Sequence, residues 1–122
     1  MSNLFKAIVE SGVGDVSVGA DGGLYQTFVF AEEFPGFMGH FPGHPVLPAV
    51  VQMMAATCVA SHGQSRVRDI KGVAQAKFLT PISPGMPVTV HARMLGPDAA
   101  EIRVMAADEP AAAFTLLFEK TA

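Results

Sequence analysis

The segment Gly39–His62, GHFPGHPVLPAVVQMMAATCVASH, decides how the chain is read. Its first part belongs to a stretch, Phe34–Pro48, with four prolines (Pro35, Pro42, Pro45, Pro48) and three glycines (Gly36, Gly39, Gly43). No regular element is expected at that density, so the spacing predicts a loop of fixed shape. Phe34, Phe37, Met38 and Phe41 predict that the loop is packed. From Ala49 to His62 the pattern changes to a helix: Pro48 suits the first turn and Gly63 can end it. Gln52 is its one strongly polar interior residue, and a helix apolar on nearly every side is expected to be buried.

Outward from this segment, Asn3–Ser11 reads as a short amphipathic helix with Asn3 as cap, stopping at Gly12. Leu24–Phe30 reads as a strand after the Asp21-Gly22-Gly23 turn, hairpin-paired with Asp15–Val18. Arg66–Phe78, with Gly72 inside it, is a long strand candidate. Val88–Met94 and Glu101–Ala106 alternate in polarity, and Phe114–Phe118 closes the chain. Short turns at Pro81, Pro84-Gly85 and Gly96-Pro97 favour an antiparallel sheet. The fold class is therefore α+β, and a sheet curled around one apolar helix satisfies both signals. Residues 1–122 are expected to form one domain.

Composition narrows the function. Half the 122 residues are apolar (50%), 16% are charged and the net charge is −3, which excludes a disordered chain. Without a basic run, nucleic acid is not expected as a partner. The most apolar stretch, Val46–Ala60, is shorter than the ~20 residues of a membrane span, and Met1–Glu10 is not a signal peptide, so a soluble protein is expected. The single cysteine, Cys58, makes no internal disulfide or multi-cysteine zinc site and points to a reducing, cytoplasmic setting. This much apolar surface in a small subunit points to an oligomer.

Chemistry is expected where the loop meets the helix. A helix N-terminus offers unpaired N–H donors and partial positive charge, which can hold a carbonyl oxygen as charge develops on it. An imidazole beside it, His40, can move a proton near neutral pH. The combination suits proton abstraction next to a carbonyl.

The run Gly39-His40-Phe41-Pro42-Gly43-His44-Pro45-Val46-Leu47-Pro48-Ala49-Val50 resembles the loop and helix start of the FabZ/FabA-type 3-hydroxyacyl-[acyl-carrier-protein] dehydratases. Gly72-Val73-Ala74-Gln75-Ala76-Lys77-Phe78 and Pro81-Ile82-Ser83-Pro84-Gly85 resemble that family's next strand and turn. The resemblance implies a hotdog fold, an antiparallel β-sheet wrapped around one long central helix, in a dimer with its sites at the interface. It implies an acyl-carrier-protein or CoA thioester as substrate, reversible loss of water giving a trans-2-enoyl thioester, a place in fatty acid biosynthesis, and neither cofactor nor metal. His40 takes the place of the catalytic histidine. Gly43 takes that of the loop glycine, and Ala49, usually glycine, that of the N–H donor to the thioester carbonyl. Phe41, Val50, Met54 and Cys58 complete the expected substrate-binding set.

Two positions depart from that pattern. The family's helix carboxylate is Met54 here, and the glutamine one turn later is Cys58. Methionine cannot protonate a leaving hydroxyl. The expectation is therefore a dehydratase or hydratase with a degenerate acid position, homodimeric or paired with a carboxylate-bearing homologue. The alternatives are a non-catalytic acyl-binding subunit and a hotdog thioesterase, although the Met54 face offers no group to activate water.

Other residues receive plainer readings. His44 lies four positions after His40, but Pro42 and Pro45 forbid the helix that a His-x-x-x-His metal site needs. His62 is expected to interact with the helix dipole. His91 is expected on a solvated strand face. Cys58 is read as inert packing, and Met53 and Met54 as core or tunnel lining. Gln52, ~200° around the helix from Met54, is expected to make a dimer contact or a backbone bond. Glu32 and Glu33 are the carboxylates nearest the loop in sequence.

Overall fold

The computed structural model describes residues 3–37, 43 and 45–120. Helix α1 spans Asn3–Glu10, strand β1 Gly12–Val18 and strand β2 Leu24–Val29. A 3-10 turn, Pro35–Phe37, is the one regular piece found within the proline-rich stretch, where none was expected; it is a single turn whose Phe37 is buried. Helix α2 is Ala49–Ala60, followed by β3 (Ile70–Phe78), β4 (Pro87–Met94), β5 (Ala99–Ala106) and β6 (Glu109–Phe118). The strands form one sheet in the order β1-β2-β4-β5-β6-β3, every neighbouring pair antiparallel.

Side-chain alternation places the core. Val88, Val90 and Ala92 of β4 turn inward with Ala100, Ile102, Val104 and Ala106 of β5 and Phe114, Leu116 and Phe118 of β6. In register, Val90 sits opposite Val104, and Ile102 lies between Ala92 and Phe114. On α2, Val51, Ala55, Ala56, Val59 and Ala60 face this layer, and three alanines let the helix seat close to the sheet. Helix α2 packs on β4, β2 and β5. This is the hotdog arrangement, a sheet wrapped around a central helix. No helix among the described residues is long and apolar enough to cross a membrane.

Several boundaries differ from the sequence reading. Strand β3 starts at Ile70, because Arg68 leaves the ladder to serve a polar knot. Its N–H donates to Ser61 Oγ at 3.0 Å, and its guanidinium donates to the carbonyls of Pro97 and Glu119 and pairs with Asp98 at 2.8 Å. Arg68 also lies 4.8 Å above the Phe118 ring. Strand β3 is itself irregular, shifting register at Gly72 and around Gln75, whose φ is +53°. Strand β1 begins at Gly12 rather than Asp15, with an irregularity around Gly14 (φ +75°). Helix α2 is not buried on every side: Val50 is 57% exposed, and Met53, Met54 and Cys58 are half-buried. The apolar stripe Val50–Met54–Cys58, spaced four residues apart, therefore lies toward the outside of this subunit.

Candidate functional site

The approach to α2 is held by packing and by one backbone bond. Phe30, Phe34 and Phe37 pack in series, tilted and then edge to face, with ring centroids 4.8 and 5.8 Å apart, and anchor the start of the loop. Gly36 lets the loop pass close there, because a Cβ would clash with the Phe34 ring and come 3.1 Å from Val51 on α2, so both would have to shift. At the other end, the Leu47 N–H donates to the Ile82 carbonyl at 2.8 Å, tying the loop to the turn before β4. Gly43 has φ +86°, a left-handed conformation that favours glycine. His40, Phe41 and His44 lie outside the described residues.

Pro48 sets the helix start. It is extended (φ −64°, ψ 152°), and its carbonyl accepts from the N–H groups of Val51 and Gln52 at 3.1 and 3.3 Å. Pro48 offers no side-chain cap, so the Ala49 and Val50 N–H groups have no partner among the described residues. Two donors carrying the positive end of the helix dipole are thus available. Ala49 borders a cavity of about 380 Å³, shared with Val46, Leu47, Gln52, Phe78 and Pro81. Val50 is exposed and outside this lining.

Met54 borders a different and larger cavity, of about 770 Å³, with Phe5, Thr57, Arg66, Val67 and Ile70. Helix α2 holds no carboxylate at all. The one on this cavity's wall is Asp69, which pairs with Arg66 at 3.6 Å on the exposed side. Cys58, one turn beyond Met54, packs against the core, and burial pushes its thiol up to about 11. At neutral pH it holds its proton too tightly to serve as base or acid. Within one chain the structure thus sets Ala49 and Met54 on two separate cavities. Glu32 and Glu33 sit in an exposed turn.

Three features lie beyond the sequence reading. Gln52 does bond the backbone, Nε2 donating to the Leu47 carbonyl at 3.4 Å, but its buried Oε1 has no partner among the described residues. Its isolation on an apolar helix was the available signal. Arg66 and Asp69 join the Met54 cavity from the α2–β3 connection, which the sequence reading counted as the start of the strand Arg66–Phe78. His91 is not solvated, as expected, but stacked on Tyr25 with centroids 4.3 Å apart and 19% of its side chain exposed. Gly23 leaves room for the ring, since a Cβ there would clash with His91 Nε2. Asp21 lies 3.8 Å from the same nitrogen, and its carboxyl is held below the usual range mainly by the Gly23 N–H. His62 is exposed just past the end of α2, its N–H donating to the Val59 carbonyl.

Comparison with known proteins agrees with this geometry. The ApeI-like family, described as ApeI dehydratase, matches residues 21–113. The 3-hydroxyacyl-[acyl-carrier-protein] dehydratase FabZ of Thermus thermophilus is 32% identical over 96 residues, covering 69% of this chain and 68% of that protein. The FabZ of Bartonella quintana is 38% identical over 69 residues, covering 50% of this chain and 44% of that protein. Among solved structures, the dehydratase heterocomplex ApeI:P from Xenorhabdus doucetiae superposes with a TM-score of 0.76 at 18% identity, covering 89% of this chain and 96% of that one. A hypothetical thioesterase with coenzyme A from Streptococcus pneumoniae gives 0.64 at 6% identity, covering 95% and 92%. These two likenesses concern the fold. The match over residues 21–113, on the helix, loop and strands described above, establishes that the chain belongs to the ApeI-like dehydratase family.

Proposed function

We propose that this chain binds 3-hydroxyacyl thioesters, carried on acyl-carrier protein or CoA, and contributes the base half of a dehydratase site whose acid half a second chain supplies. The Ala49 N–H holds the thioester carbonyl oxygen. His40 removes a proton from C2, and charge develops on that oxygen. The C2=C3 bond forms as the C3–O bond breaks, and the hydroxyl leaves as water with a proton from the partner's acid. The product is a trans-2-enoyl thioester.

The observation that carries this reading is the face of α2 bearing Met54 and Cys58. It borders a substrate-sized cavity, yet it offers a thioether and a thiol that burial keeps protonated. Three further points support a second chain. Ala49 and Met54 lie on different cavities, as expected of a site divided between two chains. The stripe from Val50 through Met54 to Cys58 is left partly uncovered. The structural neighbour from Xenorhabdus doucetiae is described as a dehydratase heterocomplex. A homodimer of this chain repeats the missing acid, so the favoured partner is a homologue with an intact helix carboxylate. The reading places the pair in the cytoplasm, consistent with a lone thiol.

Co-expression with such a homologue tests the pairing. The expected result is a mixed complex in native mass spectrometry. It should dehydrate a short 3-hydroxyacyl thioester faster than either chain alone, with the excess lost on His40→Ala. Unmixed chains, or mixed chains without that gain, contradict the reading.

A further inference from the structure

Helix α2 carries a polar group that the described residues leave unused. Gln52 is 6% exposed, and its Oε1 is enclosed with no donor among the described residues. The bond from Nε2 to the Leu47 carbonyl identifies which end of the amide is the oxygen. That bond is long, at 3.4 Å, and the terminal torsion of glutamine is soft. A small rotation of the amide therefore turns Oε1 toward the cavity that Gln52 lines. Elsewhere that lining is mostly apolar, from Val46, Leu47, Phe78, Leu79 and Pro81. Such a wall suits a hydrocarbon chain, so a hydrogen-bond donor entering it arrives on the acyl part of a ligand.

Ala49 and Gln52 are three residues apart on α2 and so are neighbours on one helix face. Among the described residues, one presents an N–H donor without a partner and the other an acceptor without a partner. A 3-hydroxyacyl thioester presents the complementary pair, a carbonyl acceptor and a hydroxyl donor two carbons along the chain. We propose that Gln52 is a specificity-determining residue whose Oε1 accepts a hydrogen bond from the substrate's 3-hydroxyl while the Ala49 N–H takes the carbonyl. This deepens the preceding functional reading and rests on it. Gln52 has no proton to give the departing oxygen, so its effect is on recognition of the hydroxylated chain and not on the elimination.

The test compares two ligands in which a methylene replaces the thioester sulfur, the analogues of 3-hydroxybutyryl-pantetheine and butyryl-pantetheine, by titration calorimetry. The wild-type protein should bind the hydroxylated analogue tighter by on the order of tenfold, since a site built around a hydroxyl penalises its absence. Gln52→Met should erase that preference by weakening the hydroxylated analogue alone. Its melting temperature should be no lower than that of the wild type, because a buried unpaired oxygen is removed. A merely structural glutamine would instead lower the melting temperature and leave the preference intact, and that result overturns the assignment. Equal wild-type affinities overturn it without any variant. Equal weakening of both analogues overturns it by assigning the donor to the pantetheine amides. Binding of neither analogue overturns this proposal together with the reading beneath it.

Discussion

Restoring an acid to α2 is the sharpest perturbation the structure offers. The double substitution Met54→Glu with Cys58→Gln places a carboxyl on the wall of the 770 Å³ cavity and an amide one turn later that can donate to it. The surroundings fix its protonation. Burial lifts the Cys58 thiol from its ordinary 9.0 to about 11. The same desolvation one turn away would raise a glutamic acid there above its ordinary range, so more of it stays protonated near neutral pH than of an exposed carboxyl. General acid catalysis is worth up to ~10²–10⁴-fold, so a gain of at least about tenfold over wild type is expected at pH 7. Turnover of 3-hydroxybutyryl-CoA, followed by enoyl-thioester absorbance, should rise further between pH 8 and pH 6 while His40 remains able to accept a proton. Stability should move in the same sense. A carboxyl whose folded pKa exceeds its unfolded one stabilises fully below ~4.3 and loses that contribution as pH rises through its raised folded value, so the double variant should lose stability relative to wild type from pH 4 toward pH 8. Each single substitution should gain less than the pair. A folded, thioester-binding double variant with no gain and no acid-side rise would refute the reasoning.

Arg68→Ala should cost about 2–3 kcal/mol in urea unfolding, because it leaves the Glu119 carbonyl without its guanidinium donor and unpairs Asp98, whose partial exposure to solvent softens the loss. Cys58 predicts an alkaline effect: its folded pKa lies above the unfolded one, so wild-type stability should fall from pH 9 to pH 11 by about 1–2 kcal/mol more than that of Cys58→Ala. In the mixed complex, His40→Ala should lower turnover by ~10²–10⁴-fold with an unchanged circular dichroism spectrum, and a loss below tenfold would place the base elsewhere.

Local signals carried much of the architecture. The Asp21-Gly22-Gly23 turn foretold the β1–β2 hairpin, and polar alternation foretold β4 and β5, because both are written in neighbouring residues. Strand β6 was legible only from Phe114, since Ala111, Ala112 and Ala113 are too small to mark a strand although the first two are buried there. The start of β3 was hidden because Arg68 takes partners about thirty and fifty residues away, a contact no window reveals. For the site, the sequence marked the Pro48–Ala49 helix start and the absence of a carboxylate at Met54. It did not mark their separation onto two cavities, nor the stacking of His91. Those depend on which side of α2 the Arg66–Ile70 and Phe78–Pro81 segments pack.

The claim at the centre is that this chain recognises the substrate but lacks the acid. Single-turnover dehydration of 3-hydroxybutyryl-CoA by the purified wild-type chain alone tests it most directly, with enzyme in excess and binding saturated. Enoyl thioester should form no faster than with His40→Ala. Formation ~10²-fold faster than that variant would contradict the account, because the single chain would then hold a proton donor that α2 does not provide.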